Sequence, residues 1–523
     1  MRRSFLFALA LGALAPVAPI AGQVFPTNDP VIRRIWTEGM ENSQLRPLAQ
    51  ALMDSVGPRL TGSPGMRAGN DWLVATYAKW GIAARNEPYG TWSGWRRGIS
   101  HVDLLQPRVR SLEGMMVPWS PPSKGAVTGP VAVLPATSGP AEFEAWLPQV
   151  RGRYVLISYP QPTCRPEESW RQNARAATLE RMLQERRAGM EEWAIRLRNT
   201  GLSARDLPRR LEQAGALGIV VNNWAGGWGV DKFHFIARTS SVPTVDLSCE
   251  DYGLVFRMAE QGQNPVLRVN AEAEALGEVP VFNTIAEIRG REKPNEYVML
   301  SAHFDSWDPA SGATDNGTGT VTMMEAMRIL KQVYPNPKRT ILVGHWSGEE
   351  QGLNGSRAFA ADNPKVVSGL QALFNQDNGT GRIESISMQG LTGAGAQFAR
   401  WFSKMPRELT DSIEFDIPGV PSSGSSDHAS FICAGAPAFF LLSKDWDYGV
   451  YTWHTNRDTF DKVVFDEVKE NATMIAMLAY LASEDPVKTP RERRVNLPVD
   501  PRTGEAAWPS CAPAARSSGE STR

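Results

Sequence analysis

The sequence predicts an α/β protein: a three-layer αβα sandwich around a mixed, mainly parallel sheet, with a β-rich domain inserted. From about residue 280, apolar runs with β character, such as YVMLSA and TILVGHWS, alternate with helical segments. That alternation is typical of a parallel sheet covered by helices on both faces. Residues 126–275 have a different pattern, in which short β-rich runs are separated by turns. With 523 residues, the chain also exceeds the usual size of a single core.

The first two regions differ in their periodicity. Residues 24–90 show the amphipathic spacing of helices, interrupted by the loop sequence GPRLTGSPG. Four β-type runs follow: GPVAVLP, YVLISYP, LGIVVNNW and VPTVDLS. Between the second and third of these runs, the charged stretch 167–213 predicts one or two exposed helices.

The third region supplies the main sheet. Its predicted strands are NTIAEIRG, YVMLSA, TILVGHWS, LQALFNQ and APAFFLLS. Helices are predicted near residues 318–333, 355–362, 394–404 and 464–484. The run beyond residue 490 is rich in Pro, Ser and Arg, which predicts a disordered tail.

Charge and the N-terminal sequence indicate the setting of the protein. The formal net charge of -1 lacks the basic excess that is typical of nucleic-acid binding. Two arginines, an apolar run and small residues near position 22 predict a secretory signal peptide rather than a membrane anchor. We therefore expect a secreted or periplasmic protein without a stable membrane anchor.

Export makes disulfides feasible, but the spacing of the four cysteines does not determine a pairing. We expect Cys433, which lies in the apolar run FICAGAPAFFLL, to be a buried apolar residue rather than half of a bridge.

Polar clusters follow four of the predicted strands of the third region. In open α/β sheets, ligands bind beyond the carboxyl ends of the strands, so these side chains should converge. A Gly-rich turn, SGATDNGTGT, adds one more carboxylate at the start of the helix after the first cluster. The predicted constellation consists of His303, Asp305, Asp315, Glu349, Glu350, Asp377 and His454.

Two histidines with several carboxylates form the ligand set that a pair of borderline metal ions requires. One carboxylate can bridge two metals, and a neighbouring acid that binds no metal can act as a base. The Glu349–Glu350 doublet offers a ligand and a base side by side. We expect Asp305 to accept the proton on the far imidazole nitrogen of His303.

The phrases SAHFDSWDPASGATDNGTG, WSGEEQGLNGS, NQDNG and HTNRDT resemble the co-catalytic zinc peptidase family. That family includes bacterial leucyl-type aminopeptidases, glutamate carboxypeptidase II and plasma carboxypeptidase Q, and HFDSWD followed by GATDNG is most similar to the last branch. The resemblance implies two zinc ions. It also implies a protease-associated domain at 126–275 with a helical insertion, which divides the peptidase domain into 23–125 and 276–490. The signal peptide expected at 1–22 and the disordered tail expected at 491–523 complete the predicted organisation.

Residue by residue, the resemblance implies one zinc on His303 and Asp377 and the other on Glu350 and His454. Asp315 would bridge the two ions and Glu349 would be the general base. A cis peptide bond after Asp315 is implied as well.

Further residues are candidates for binding the substrate or the oxyanion. Trp453 stands where some relatives have an oxyanion-binding Tyr, and Tyr448 and Tyr451 are nearby alternatives. Asp427 and His428 belong to a further family motif. For His101, His234 and His345 we expect structural roles.

We therefore expect a secreted zinc exopeptidase that cleaves short peptides as an aminopeptidase or dipeptidase. A carboxypeptidase is the alternative, but the sequence does not reveal the cation that would bind a terminal carboxylate. A glutaminyl cyclase and a non-catalytic, receptor-like binding protein fit less well, because all five ligands and the base are present. Short peptides are the expected partners, and a homodimer is left open.

Overall fold

The computed structural model describes residues 25–233, 236–500 and 504–520. The predicted signal peptide at 1–22 and His234 lie outside these residues. Among the described residues, no helix has both the length and the apolar composition that a membrane span requires.

In the part of the chain that the structure describes, fourteen strands form one continuous mixed sheet. In chain order they are β1 (Ala83–Gln106), β2 (Arg110–Leu112), β3 (Gly114–Met116), β4 (Val127–Val133), β5 (Tyr154–Leu156), β6 (Gly218–Val221), β7 (Thr244–Leu247), β8 (Val266–Ile288), β9 (Lys293–His303), β10 (Arg339–Trp346), β11 (Leu370–Asn375), β12 (Ile383–Ser387), β13 (Glu414–Asp416) and β14 (Ala438–Ser443).

The α-helices flank this sheet. They are α1 (Pro30–Trp36), α2 (Leu45–Gln50), α3 (Pro64–Lys79), α4 (Pro140–Trp146), α5 (Glu167–Asn173), α6 (Ala176–Asn199), α7 (Asp206–Gln213), α8 (Cys249–Glu260), α9 (Thr318–Val333), α10 (Asn354–Asp362), α11 (Pro364–Gly369), α12 (Ala394–Phe402), α13 (Ala429–Ile432) and α14 (Phe465–Glu484). Tighter or wider helical turns occupy Thr37–Glu41, Ala51–Val56, Leu147–Val150, Ala313–Gly317, Arg407–Leu409, Tyr448–Thr452 and Phe460–Lys462.

The predicted α/β class with a mixed sheet is confirmed. Strands β14, β11, β9 and β10 are parallel neighbours, and β8 joins β10 in the antiparallel sense. Beyond β8, the sheet continues through β4, β5, β6 and β7 to β3. The long pair β1 and β8 therefore connects the two halves of the molecule.

The central strands have apolar side chains on both faces. In β9, Val298 and Leu300 belong to a core that includes α9 and α14, whereas Met299 belongs to a smaller core with Phe359 of α10 and Phe431 of α13. Because successive strand residues point to opposite faces, this division shows that helices cover the sheet on both sides.

A separate hydrophobic core lies in the half of the molecule that contains β3 to β7. Strands β4 to β7 coincide with the four β-type runs, whereas β3 was not predicted. The charged stretch at 167–213 forms three helices, α5, α6 and α7, instead of the one or two that were expected. The boundaries of 126–275 and its identity as a protease-associated domain remain predictions.

The helical prediction for residues 24–90 is wrong at its C-terminal end, where the chain forms strand β1. The strand begins at Ala83, and register shifts interrupt its pairing with β8 at Pro88/Gly90, Gly94/Trp95 and Arg97/Ser100. These irregularities break the strict two-residue alternation by which a strand is recognised in a sequence.

The predictions for Cys433 and for the tail are wrong. Cys433 forms a disulfide with Cys511, and Cys164 forms one with Cys249. Residues 504–520 pack against the body of the protein: the indole of Trp508 donates a hydrogen bond to the main-chain oxygen of Ile432 at 3.0 Å. Composition could not reveal this packing, because it depends on contacts with distant residues.

Candidate active site

The predicted constellation comes together at one edge of the sheet. His303 is the last residue of β9, Glu349 and Glu350 follow β10, and Asp377 follows β11. Since these strands are parallel neighbours, their carboxyl ends meet at the same edge. The loop after β14 brings His454 to the same place.

Asp315 lies between the two histidines. Its Oδ1 atom is 3.2 Å from Nε2 of His303, and its Oδ2 atom is 3.2 Å from Nε2 of His454. Nε2 of His303 is also 2.9 Å from Asp377, and Nε2 of His454 is 2.9 Å from Glu350. Each oxygen of Asp315 thus faces a different histidine–carboxylate pair, the arrangement that a bridging ligand needs.

Glu349 borders one of these pairs. The donor atoms of His303, Glu349 and Asp377 lie within 4.8 Å of one another, and so do those of His303, Asp315 and Glu350. Both acids of the Glu349–Glu350 doublet therefore face the cluster.

The contacts of Asp305 differ from the expected one. Nδ1 of His303 is 3.0 Å from the main-chain oxygen of Asp305 but 3.7 Å from its carboxylate. The carboxylate instead accepts hydrogen bonds from the main-chain N–H groups of Glu349 and Glu350, each at 3.2 Å. Asp305 thus contacts His303, Glu349 and Glu350, but its main-chain carbonyl, rather than its carboxylate, faces the imidazole of His303.

The peptide bond between Asp315 and Asn316 is cis, as the resemblance implied. The turn that carries it is held by Asp458, which accepts hydrogen bonds from the main-chain nitrogens of Thr314 and Asp315 at 2.7 and 2.9 Å. Sequence reasoning quoted HTNRDT, which contains Asp458, but assigned that residue no role.

Arg59 was also missed, although it lies in the quoted loop GPRLTGSPG. Its guanidinium is fully buried and donates hydrogen bonds to four main-chain oxygens, those of Gly57, Phe304, Ser311 and Gly312. Arg59 therefore ties the residue after His303 to the turn that presents Asp315.

The three oxyanion candidates have different surroundings. Burial raises the pKa of Tyr448, and the negative charges of Asp315, Asp377 and Glu350 raise it further. Tyr448 lines the same cavity as Thr314, the residue before Asp315. The indole of Trp453 is 40% exposed and lies against His454, with 4.3 Å between ring centroids. Tyr451 lines a neighbouring cavity of about 570 Å³.

Asp427 and His428 are buried beside the cluster. Burial raises the pKa of Asp427 to about 8, against the opposing effect of His303. Burial also lowers the pKa of His428 to about 3, and its ring stacks on Phe440 at 5.0 Å. A neutral, stacked imidazole fits the structural alternative for His428.

The other two histidines in the described part of the chain, His101 and His345, lie within strands. His345 is buried within β10, where Nε2 is 2.8 Å from the hydroxyl of Tyr77 and burial lowers the pKa of the imidazole to about 3. His101 lies in β1.

The electrostatics of the site fit bound cations. Burial raises the pKa of Glu349, and it raises the pKa of Glu350 to about 7. By contrast, the two histidines outweigh the effect of burial on Asp315 and lower its pKa. Oε1 of Glu350 is buried without a hydrogen-bond partner among the described residues. Buried carboxylates of this kind are stabilised by coordination, and imidazole with carboxylate suits zinc.

Comparisons with known proteins agree with this geometry. Residues 283–479 match the family model described as Peptidase family M28. Carboxypeptidase Q of Mus musculus is 26% identical over 450 residues, which cover 84% of this chain and 86% of the mouse protein.

Two solved structures share the fold. A peptidase M28 precursor from Shewanella amazonensis has a TM-score of 0.62 at 22% identity, covering 88% of this chain and 97% of its own. The zinc aminopeptidase BSAP from Bacillus subtilis has a TM-score of 0.54 at 18% identity, covering 86% and 96%.

Proposed function

Since the chain is a metallo-exopeptidase of the co-catalytic zinc peptidase family, we propose that it removes terminal residues from short peptides as an aminopeptidase or dipeptidase. The observation that carries this proposal is the position of Asp315, with one carboxylate oxygen facing His303 and the other facing His454. Such a carboxylate suits a site for two metal ions.

In this proposal the cluster would hold two zinc ions. His303 and Asp377 would hold one ion, Glu350 and His454 would hold the other, and Asp315 would be shared by both. The indole of Trp307 donates a hydrogen bond to Oε2 of Glu350 at 2.7 Å and so orients that ligand. When bound, the ions would increase the acidity of water and polarise the scissile carbonyl.

Glu349 moves the proton. It accepts the proton of the attacking water and then transfers it to the nitrogen of the leaving amine, so it serves first as general base and then as general acid. Its burial supports this role, because a raised pKa brings a carboxylate closer to the working range of a proton shuttle. The main-chain contact with Asp305 fixes the loop that carries Glu349.

We assign the oxyanion to Tyr448 rather than to Trp453. A donor for the developing negative charge must lie next to the reacting carbonyl. The position of Tyr448 in the lining of a cavity that also contains Thr314, the neighbour of Asp315, supports this placement. The indole of Trp453 is half-exposed and stacks on the imidazole of His454.

We further propose that the protein is exported and acts on short peptides without a nucleic-acid partner. The N-terminal sequence pattern supports export, and two disulfides suit an oxidising compartment. Carboxypeptidase activity is the second candidate, because the mouse relative carries that name.

Blocked and unblocked dipeptides test the proposal. The zinc-loaded protein should hydrolyse a dipeptide with a free amino end, and an N-acetyl group on the same dipeptide should abolish cleavage. Cleavage of the acetylated dipeptide with a free carboxylate would instead establish a carboxypeptidase. Failure to cleave any of these peptides would contradict the exopeptidase proposal.

A further inference from the structure

Lys232 lies where the half of the molecule with β3 to β7 contacts the loop of His454. The main-chain N–H of Phe233 donates a hydrogen bond to the main-chain oxygen of His454 at 2.7 Å. Lys232 itself forms an antiparallel bridge with Thr455. The backbone on either side of Lys232 is therefore fixed to the segment that carries a candidate metal ligand.

The side chain of Lys232 contacts Trp453. Its Nζ atom is 3.9 Å from the ring centroid of Trp453 and donates a hydrogen bond to the main-chain oxygen of Gly449 at 3.3 Å. The ring of Trp453 in turn lies against His454. Trp453 therefore contacts both the ammonium group and the imidazole.

Electrostatics agree with this placement. Burial lowers the pKa of Lys232, and Asp315 opposes that shift. The negative charge of Asp315 thus favours the protonated ammonium form of Lys232.

Other cations near the site already have partners. Arg457 and Lys462, which line the neighbouring cavity, form ion pairs with Glu113 and Asp461. Within residues 25–233, 236–500 and 504–520, by contrast, no Asp or Glu oxygen lies within 4.0 Å of Nζ of Lys232. Lys232 therefore combines a position beside the cluster with a charge that no described carboxylate neutralises.

We propose that the ammonium group of Lys232 binds the C-terminal carboxylate of a dipeptide substrate. The inference rests on the proposed exopeptidase function and specifies its substrate as a dipeptide with a free carboxyl end. In a dipeptide, the scissile carbonyl and the terminal carboxylate belong to consecutive residues, whose Cα atoms are about 3.8 Å apart. A cation that recognises this carboxylate must therefore lie near the metal-binding cluster, and Lys232 is held against the loop of His454 by its bridge with Thr455 and by its contact with Trp453.

Selection against longer or capped peptides follows from this geometry. Each additional residue moves the terminal carboxylate by up to about 3.3–3.6 Å. A tripeptide therefore presents a peptide bond, and a dipeptide amide presents a neutral group, where Lys232 requires an anion.

Binding to a turnover-deficient protein tests the inference. The zinc-loaded Glu349→Gln variant would be titrated calorimetrically with leucyl-alanine and with leucyl-alaninamide. A hydrogen bond to a charged group contributes about 1.5–3 kcal/mol, so the free dipeptide should bind at least roughly 10-fold more tightly than the amide.

Three further substitutions in the Glu349→Gln background locate the source of that preference. Lys232→Met should reduce the preference to below about 2-fold, whereas Lys232→Arg should retain most of it because the charge remains. The matched control Lys462→Met removes a paired lysine of the neighbouring cavity and should leave the preference unchanged.

The inference and the proposed function can fail separately. If Lys232→Met weakens binding of the dipeptide and the amide equally, or if neither peptide binds, Lys232 does not recognise the carboxylate. If unsubstituted protein hydrolyses no peptide but the preference for leucyl-alanine still depends on Lys232, the exopeptidase proposal fails and the binding role of Lys232 stands.

Discussion

Two regions of the molecule bury acidic side chains, and they differ in what surrounds those acids. At the carboxyl ends of β9, β10 and β11, carboxylates alternate with the imidazoles of His303 and His454 at 2.9–3.2 Å. In the half with β3 to β7, Asp231 and Asp246 are also buried, but side-chain amides contact them. The side-chain amide of Asn222, for example, donates a hydrogen bond to the carboxylate of Asp231.

The surroundings determine how the charge is accommodated. In the first region, the donor atoms of histidines and carboxylates converge as a metal requires. In the second region, burial raises the pKa of Asp231 to about 8, and repulsion from Glu113 and Glu250 adds to the shift. Asp231 is therefore neutral at moderate pH. Burial of acids alone does not indicate a metal site; the accompanying histidines do.

Removal of metal should have the largest effect on activity, and it should distinguish the two regions because only the first contains the candidate zinc ligands. We expect about two equivalents of zinc per chain, complete loss of peptidase activity after dialysis against a chelator, and recovery on adding zinc. A ligand present at 100 times its Kd stabilises the native state by about 2.7 kcal/mol, so chelation should also lower the Tm. Elemental analysis that gives one equivalent with full activity would contradict the two-metal proposal.

Substitution of the two neighbouring glutamates should distinguish base from ligand. Glu349→Gln should reduce kcat roughly 10²–10⁴-fold, because the amide cannot accept a proton, while both zinc ions remain bound. Glu350→Gln should lose one equivalent of zinc together with activity. Near-normal kcat in Glu349→Gln would remove Glu349 from the mechanism, and metal analysis of both variants provides the control.

Loss of the buried guanidinium should destabilise the first region. Arg59→Met leaves four main-chain oxygens without their donor, so the free energy of unfolding should fall by roughly 3–5 kcal/mol. Urea denaturation measures the change. In the control Arg67→Met, the lost ion pair with Asp71 is exposed, and the change should stay below about 1 kcal/mol. Equal losses in the two variants would show that burial of Arg59 is not decisive.

The pH dependence of stability should reveal the neutral acid of the second region. The pKa of Asp231 is higher in the folded protein than in the unfolded chain. Its protonated form therefore makes its full contribution to the free energy of unfolding below about pH 4, and this contribution is lost as pH rises towards 8. Asp231→Asn should therefore gain stability relative to the unsubstituted protein over this range, by more than about 1.4 kcal/mol, the equivalent of one pKa unit. Parallel stability curves for the two proteins would contradict an elevated pKa.

The smallest effect is expected for the exposed ion pair between the regions. Arg457→Met removes the contact with Glu113, whose side chain is 50% exposed, so stability should change by less than about 1 kcal/mol. Hydrolysis of a free dipeptide should stay within about twofold. A large loss of activity would show that contact between the two halves, rather than Lys232 alone, controls the site.

The sequence could predict the site because most of its ligands lie at the end of a predicted strand or at the start of a predicted helix. His303 ends a buried strand, the glutamates follow the next one, and Thr318–Val333 forms the helix predicted after Asp315. Alternation of strands and helices fixes the order of parallel strands closely enough to place their carboxyl ends together. The local sequence and its family motifs therefore determined the fold class and the converging side chains.

Tertiary structure alone decided the contacts between distant segments. The bond from Cys433 to Cys511, the packing of residues 504–520 and the position of Lys232 beside Trp453 join parts of the chain with no common periodicity. Strand β1 escaped recognition because bulges interrupt its alternation. Periodicity reports the faces of one element, whereas these contacts depend on how separate elements meet, which no local pattern encodes.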